Sequence, residues 1–464
     1  MKMRDISRNV YKWYEKNSFT ILILLSALIA GSIFVTYGYQ DLKSLTVWSL
    51  NLLDVIYEGR PYEYYAYCAE NLYNLSHEYM GSGYLALIPW AVWNIPIWVL
   101  QRWFGIIAVG HAWTLLYSKM FLVVVEGIML YYTYKITMHF TGDIQKSKMA
   151  AYLTFSSPFV LIGIYFTGQS DIISLCLFVI AIYKLLEKKR MWFIIFAALG
   201  IAAKPYVLLA YIAVILLMEK NIWKICAYVF AGGSVTILFT FLYSNAPMYK
   251  DSIHSGPTGN QLETLLSVSI DGGIGYKISL FVVAIVLFYF FLYIKEYREE
   301  REHLLVYFIA VTFLLFFILT DSEYYRMIYL APFIYILFVY KENLRLNLLV
   351  ELVAGICAVF VFYIRYLEFF SEGFLFQYIR DIVPNNNLIL AGIKNELRNM
   401  DMNAVPICAI AASVYFAVML VLAIVNYPDF QLRDKEERKL AIKPILWIRV
   451  LILVPITILS LFGN

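Results

Sequence analysis

Apolar stretches of membrane-crossing length alternate with short polar stretches from one end of this 464-residue chain to the other. The first runs over roughly 19–38. A polar, acidic, tyrosine-rich loop follows to about residue 82, and then comes 83–103, GYLALIPWAVWNIPIWVLQRW, which is apolar but interrupted by Pro89 and Pro96. Full spans are predicted near 112–134 and 149–166, with one more before Lys188. Others fall near 222–243, 276–295, 303–320, 324–340, 346–366, 404–426 and 445–462. The segment 191–218 reads as two short apolar halves on either side of Lys204-Pro205. Each half reaches only about 20 Å at 1.5 Å per residue, short of a hydrocarbon core of about 30 Å. The pattern predicts an all-α polytopic membrane protein with about thirteen crossings and no soluble domain or fixed-period repeat.

The basic residues orient these spans. Lys2, Arg4, Arg8, Lys12 and Lys16 place the N-terminus in the cytoplasm. The stretch 135–148 carries Lys135, Lys146 and Lys148, and Lys188, Lys189 and Arg190 follow further on. Both groups are cytoplasmic only if 83–103 lies in the outer interface as bent, amphipathic helices and does not cross. Lys188, Lys189 and Arg190 precede the 191–218 segment, and Lys220 and Lys224 follow it. Both ends therefore belong on the cytoplasmic side, and the segment reads as a hairpin with Lys204 at its outer tip. The other basic loops contain Lys295, Arg298 and Arg301, then Lys341 and Arg345, then Arg433 to Lys443. Loops 244–275 and 367–403 are external, and the C-terminus lies outside. The organisation is one integral-membrane domain: an external loop over 39–111 with interfacial helices, a transmembrane core over 112–340, and a C-terminal transmembrane module over 341–464.

Composition agrees. Hydrophobic residues make up 62% of the chain and charged residues 15%, a profile that excludes an ordinary soluble domain. The formal net charge of +4 reports topology and not nucleic-acid binding. Cys68, Cys176, Cys226, Cys357 and Cys408 show no paired spacing, so neither a disulfide framework nor a metal site is indicated. His111, His254 and His303 lack metal-ligand spacing. The first apolar run has no small-residue cleavage site and reads as a retained span.

Ionisable residues at or near the outer half of the membrane are few: Asp41, Lys119, Glu126, Asp171, Lys204, Asp321, Glu323 and Arg326. Lys119 and Glu126 are two turns apart on one helical face and can form or share a pair. Asp41, Asp171, Lys204 and the run Asp321-Ser322-Glu323-Tyr324-Tyr325-Arg326 all emerge on one side under this topology. Such a set suits glycosyl transfer from a lipid phosphate. Lys204 and Arg326 would meet the growing negative charge of the leaving phosphate, Arg326 with a bidentate fork. Asp41 would take the proton of the acceptor hydroxyl. Gln169 and the tyrosines would hydrogen-bond sugar or phosphate. Asp54 and Glu58 are the rival carboxylates, and the plain alternative for Asp41 is a helix cap.

At these residues the chain resembles the GT-C superfamily of multispanning glycosyltransferases, and within it the GPI mannosyltransferase I catalytic subunit and its microbial relatives. In that family an Asp ends the first span. An amphipathic helix follows, then a G-x-(S)-P-Y turn and an aromatic stretch leading to in-plane helices. Asp41, Gly59-Arg60-Pro61-Tyr62 and 83–103 stand in those places. Pro158 and Gly168-Gln169-Ser170-Asp171 look like the family's outer turn between its third and fourth spans. Ala202-Ala203-Lys204-Pro205-Tyr206 resembles H-F-K-I-Y-P, and Ser322-Glu323-Tyr324-Tyr325, with Pro332 beyond, resembles S-Q-Y. The likeness covers residues 1 to about 340. One departure is that Asp41-Leu42-Lys43 stands where the GPI enzyme has D-x-D.

The resemblance implies an inverting transferase that moves mannose or another hexose from a polyprenyl-phosphate donor, with no metal and no cofactor. The acceptor would be a glycan, glycolipid or protein on the outer face. Asp41 would be the catalytic residue, with Lys204, Arg326, Gln169, Asp171, Tyr62, Tyr325 and Glu323 at the substrate. The competing readings are a polysaccharide flippase or other secondary transporter, and an O-antigen-type ligase or polymerase. The first requires polar residues in both leaflets. The second would lean on loop arginines such as Arg380 and Arg398. The sequon Asn74-Leu75-Ser76 and the run Gly272-Gly273-Ile274-Gly275 carry no weight in this context.

Overall fold

The computed structural model describes residues 2–38, 40–71, 84–105, 111–255, 261–272, 275–296, 302–321, 323–341, 344–365, 405–428, 442–452 and 454. The sequon at 74–76, Ser322, Arg298, Arg301, the 367–403 loop with Arg380 and Arg398, and the 433–441 part of the basic run lie outside these residues. So do the side chains of the N-terminal basic cluster, of His254 and of Tyr324.

The described chain is helical apart from one short antiparallel ribbon, β1 (Ser269–Asp271) with β2 (Lys277–Ser279), in the register Ile270 opposite Ile278. Among the described residues five helices are long and apolar enough to cross a membrane: Ser18–Thr36, Ala112–Thr141, Ile222–Tyr243, Leu344–Val361 and Ile407–Val425. A sixth span forms if the bent pair Ile144–Phe155 and Pro158–Phe166 is counted as one, and five shorter apolar helices accompany them. The protein is an integral membrane protein. Exposed apolar side chains along α11 (Ile222–Tyr243) and α14 (Leu280–Ile294), such as Phe230, Phe241, Val286 and Phe290, are what lipid-facing helices require.

The chain divides into two compact units. The first takes residues 1–37, 342–425 and 430–464. Within it α17 (Leu344–Arg365) packs along α18 (Val405–Val425), and α19 (Ile442–Leu451) packs on α17 and on α1 (Lys2–Thr36). Glu351 and Arg449 form a buried ion pair there, with Nε at 2.8 Å and 3.1 Å from the two carboxylate oxygens. Such a match offsets much of the cost of placing both charges in an apolar interior.

The second unit takes residues 38–341 and 426–429. It opens with α2 (Gln40–Tyr57), whose Ser44, Thr46, Ser49 and Asn51 are buried beside Leu42, Leu45, Val47, Leu50 and Leu52. A 3₁₀ turn (Pro61–Glu63) and α3 (Tyr64–Glu70) fold back along α2: Tyr64 Oη donates to the Trp48 carbonyl at 3.4 Å. The segment predicted as bent in-plane helices is one helix, α4 (Tyr84–Phe104), running through Pro89 and Pro96. It lies against α2 and α5 (Ala112–Thr141), and Ser118 Oγ gathers donors from Thr46 (2.8 Å), Trp90 Nε1 (2.6 Å) and Asn94 Nδ2 (3.1 Å).

The stretch 135–148 is mostly helical. Gly142 adopts a left-handed φ of 62° that ends α5, and the Asp143 carboxylate caps α6 (Ile144–Phe155) by accepting from the Gln145 and Lys146 amides. After Ser156-Ser157, α7 (Pro158–Val160) passes into a π-helix over Leu161–Phe166. α8 (Asp171–Leu186) and α9 (Arg190–Ala203) form a tight hairpin, and α10 (Tyr206–Met218) folds back on α9. That second fold-back follows from the stacked rings of Phe193 and Tyr211, whose centroids are 5.4 Å apart. A continuous helix would separate these residues by about 27 Å. Lys204-Pro205 is therefore the tip of a helical hairpin, and Arg190 and Glu219 come close together at its open end. The Asn221 side chain caps α11. α15 (His303–Ile318), a 3₁₀ turn (Tyr324–Leu330) and α16 (Ala331–Tyr340) complete the unit.

Candidate functional site

Three backbone features converge on one place in the second unit. The first is the turn between the π-helix and α8. The wider turns of the π-helix show in the Thr167 amide, which donates to the Ile162 carbonyl, five residues back, at 2.9 Å. Gly168 follows at φ +66°, and a Cβ there would meet Leu42 Cβ at 3.1 Å. Only glycine satisfies both the left-handed backbone and the approach to α2. This turn delivers Gln169 to α2, where its Nε2 donates to Asp41 Oδ2. Asp41 is half-buried in the first turn of α2, where its charge also complements the helix dipole.

The second feature is the tip of the α9–α10 hairpin. Ser174 Oγ donates to the Gly200 carbonyl at 2.8 Å, and Gly200 packs so closely on α8 that a Cβ would lie 3.2 Å from the Ser174 carbonyl. This seam brings Lys204 Nζ to 3.8 Å from Asp171 Oδ2. That is an ion pair beyond hydrogen-bond length. Neither carboxylate oxygen of Asp171, whose side chain is 2% exposed, accepts a hydrogen bond, and the neighbouring Ser170 hydroxyl is likewise buried and unbonded.

The third feature is the 3₁₀ turn at Tyr324–Leu330. It packs on the π-helix at Gly163, where a Cβ would sit 3.2 Å from the Tyr325 carbonyl. The Arg326 guanidinium lies over the rings of Tyr206 (5.4 Å) and Tyr325 (5.6 Å). These contacts set the guanidinium against aromatic rings, and its N–H groups have no hydrogen bond or ion pair among the described residues. The Tyr325 phenol stands within electrostatic reach of Arg326, Asp41, Asp171 and Glu323, so the three features form one cluster. Glu323 Oε2 is buried there without a hydrogen-bond partner.

Seven of the eight residues singled out from the sequence are thus gathered: Asp41, Gln169, Asp171, Lys204, Glu323, Tyr325 and Arg326. Tyr62 is set apart. It lies beyond the far end of α2, and Asp41 to Tyr57 is about 24 Å of helix at 1.5 Å per residue. Its ring stacks on Tyr243 at 6.2 Å. The rival carboxylates have other uses. Asp54 accepts from Trp98 Nε1 at 2.8 Å and from Tyr67 Oη at 3.4 Å. Burial pushes its carboxyl above the ordinary value against the pull of the Trp98 bond. Glu58 pairs with Arg60 at 2.5 Å and Arg102 at 3.3 Å, and the Arg60 hydrogen bond holds its carboxyl below the ordinary value. Lys119 and Glu126 both meet a third residue: Lys119 Nζ donates to the Tyr165 carbonyl, and Tyr165 Oη donates to Glu126 Oε2 at 2.5 Å. The structure adds Tyr206 and Ser170 to the cluster. Both lie inside motifs that the sequence had marked, at the hairpin tip and at the turn before α8.

No group of three or more His, Cys, Asp or Glu able to hold a metal occurs among the described residues. No family model matches the chain, and no curated protein matches it. Among solved structures it is similar to the crystal structure of ArnT from Cupriavidus metallidurans bound to undecaprenyl phosphate. That similarity has 9% identity and a TM-score of 0.46, over 94% of this chain and 78% of that one. A likeness that distant bears no weight for function, which has to come from the site itself.

Proposed function

We propose that this protein is an inverting GT-C-type glycosyltransferase that transfers a hexose from a polyprenyl-phosphate donor to an acceptor on the outer face of the membrane. One observation carries the reading. Two cations, Lys204 and Arg326, stand near carboxylate oxygens that are buried without hydrogen-bond donors, both of Asp171 and Oε2 of Glu323. A glycosyl phosphate supplies both complements, phosphate oxygens for the cations and sugar hydroxyls for Asp171 and Glu323. A free inorganic anion would supply only the first.

The chemistry follows from the placement. The acceptor hydroxyl attacks the anomeric carbon as its proton passes to Asp41, and the bond from that carbon to the phosphate oxygen breaks. The electron pair leaves on the polyprenyl phosphate, whose added negative charge meets Lys204 and the N–H groups of Arg326. Gln169 occupies one oxygen of Asp41 and fixes the carboxylate, leaving Oδ1 for the incoming hydroxyl. One carboxylate suffices for a single displacement, and a monophosphate donor needs no metal to neutralise a diphosphate. Tyr325 and Tyr206 brace Arg326 so that its fork faces the phosphate. The acceptor is a glycan, glycolipid or protein hydroxyl, and the N-terminus is cytoplasmic.

The purified protein in nanodiscs, given a panel of polyprenyl-phosphate hexoses, should release polyprenyl phosphate from at least one of them. Nucleotide sugars should remain untouched. Asp41→Asn should lose about 10²–10⁴-fold in turnover while still binding donor. Asp41 lies inside the first turn of α2 and is not its cap, so Asp41→Ser, which keeps a small hydroxyl there, should fold and be equally inactive. Donor turnover by neither wild type nor any reconstituted form would overturn the assignment, and an active Asp41→Ser would move the base elsewhere.

A further inference from the structure

Tyr62 sits apart from the reacting cluster, in a setting of its own. Its ring lies nearly parallel to Tyr243, at 20° between planes, and Tyr243 packs in turn edge-on to Tyr65 at 5.7 Å. Tyr243 is buried, and its hydroxyl donates to the Pro61 carbonyl at 3.2 Å, which clamps the turn carrying Tyr62. Tyr62 is therefore braced on one side by an offset stack with Tyr243, and the residue is 45% exposed. In the same turn the Arg60 guanidinium is pinned by Glu58 at 2.5 Å and Glu63 at 2.8 Å and lies over the Tyr67 ring at 5.6 Å.

An exposed aromatic face in a turn that also carries ion-paired guanidinium and carboxylate groups suits a pyranose. The apolar C–H face of the ring lies on the aromatic face, and vicinal hydroxyls meet guanidinium and carboxylate edges. Tyrosine supplies such a surface at low cost in side-chain entropy. The other common setting for exposed tyrosines is the membrane interface, where the rings look onto acyl chains. Here Arg60 and Glu63 flank Tyr62 in the turn, with side chains 43% and 48% exposed. Turning that surface into acyl chains would desolvate both charges.

We propose that Tyr62, backed by Tyr243 and bordered by Arg60 and Glu63, is a carbohydrate-binding platform that holds an acceptor glycan several sugars away from the reacting end. Calling the glycan the acceptor rests on the glycosyl-transfer reading, but binding itself does not. The site lies past the far end of α2 from Asp41, so it selects for acceptor length and not for the donor sugar.

The test uses the full chain in nanodiscs and saturation-transfer NMR against tri- to hexasaccharides of the α-manno, β-gluco and β-galacto series, with no donor present. At least one series should receive saturation on its ring protons. The signal should disappear in Tyr62→Ala and persist in Tyr62→Trp, which keeps the aromatic face. In transfer assays Tyr62→Ala should raise the acceptor KM about tenfold for long acceptors, leaving kcat and donor hydrolysis unchanged. Absence of saturation in every series overturns the proposal. So does binding that survives Tyr62→Ala, or cross-relaxation of the Tyr62 ring with lipid acyl protons. Glycan binding that depends on Tyr62 in a protein that turns over no donor would leave the platform standing and sink the transferase reading alone.

Discussion

The ion pair of Lys204 and Asp171 allows a sharp test, because it separates holding the fold from handling the donor. At 3.8 Å the two charges attract by about 4 kcal/mol with an effective dielectric near 20. Lys204→Met keeps the length of the side chain and removes the charge, leaving a carboxylate that is 2% exposed. Removing one partner of a buried pair costs roughly 3–5 kcal/mol. Lys204 is 16% exposed, and the field of Arg326 still reaches Asp171, so about 2–4 kcal/mol is expected here. The double variant Lys204→Met/Asp171→Asn removes the stranded charge and should recover more than half of that loss. Donor handling should behave differently. Loss of a charge-assisted contact worth about 1.5–3 kcal/mol lowers donor turnover about 10- to 150-fold, and the second substitution should not restore it. Unfolding in mixed micelles gives the first quantity, and release of polyprenyl phosphate gives the second. If the double variant regains turnover, Lys204 serves only Asp171 and the phosphate is bound elsewhere. If Lys204→Met leaves stability unchanged, the two charges are not coupled.

Three further outcomes follow. Gly168→Ala should destabilise by about 1–2 kcal/mol for the left-handed backbone alone, and because the added carbon presses on Leu42 it should lower turnover more than donor binding; full activity would show that the α2–turn contact does not set the site. Asp54 holds its proton more tightly in the folded chain than in the unfolded one, so its contribution to stability is full below the unfolded pKa and is lost as pH rises through the folded one; the gain from Asp54→Asn, which keeps an oxygen for Trp98, should be larger at pH 7 than at pH 4 in the same unfolding assay. For topology, Gly142 is unsuitable for a label because of its left-handed φ of 62°, so the exposed Gln145 is the better position; with Cys226 changed to Ser, Gln145→Cys should react with an impermeant thiol reagent only after cells are permeabilised, and labelling from outside intact cells would reverse the side assignment.

The helices were legible because apolar length and basic flanks constrain them directly. The hairpin at Lys204-Pro205 was legible for a second reason: two halves too short to cross cannot have their charged ends on opposite sides. Asp41, Asp171, Lys204 and Arg326 stood out as ionisable residues at the ends of apolar segments, and in the structure the ends of these neighbouring helices meet. Other features had no signal in the pattern. The π-helix at Leu161–Phe166 is as apolar as an α-helix would be, and its wider turns show only in backbone hydrogen bonds. Spacing put Lys119 and Glu126 on one face but did not reveal Tyr165, which arrives from another helix to meet both. Tyr62 went with the cluster because its Gly59-Arg60-Pro61-Tyr62 turn resembles a family motif, and nothing in the loop's pattern reports that this turn lies beyond the far end of α2. The bend expected at Pro89 and Pro96 does not break α4, where Trp90, Asn94 and Trp98 anchor to α5 and α2.

The π-helix has a consequence for comparing this chain with others. Wider turns are what an α-helix adopts when it absorbs one extra residue, so a one-residue gap there could heal into regular helix without disturbing the hydrophobic pattern. Everything beyond the gap would keep its phase, because the wider turns have already absorbed the extra residue. Gln169 would still face Asp41, and Asp171 would still face Lys204. A relative aligned with a single deletion between Leu161 and Phe166 can therefore keep this constellation, whereas a single deletion inside the regular helix α8 would rotate all that follows it by about 100°. The same one-residue gap is silent at the first position and disruptive at the second.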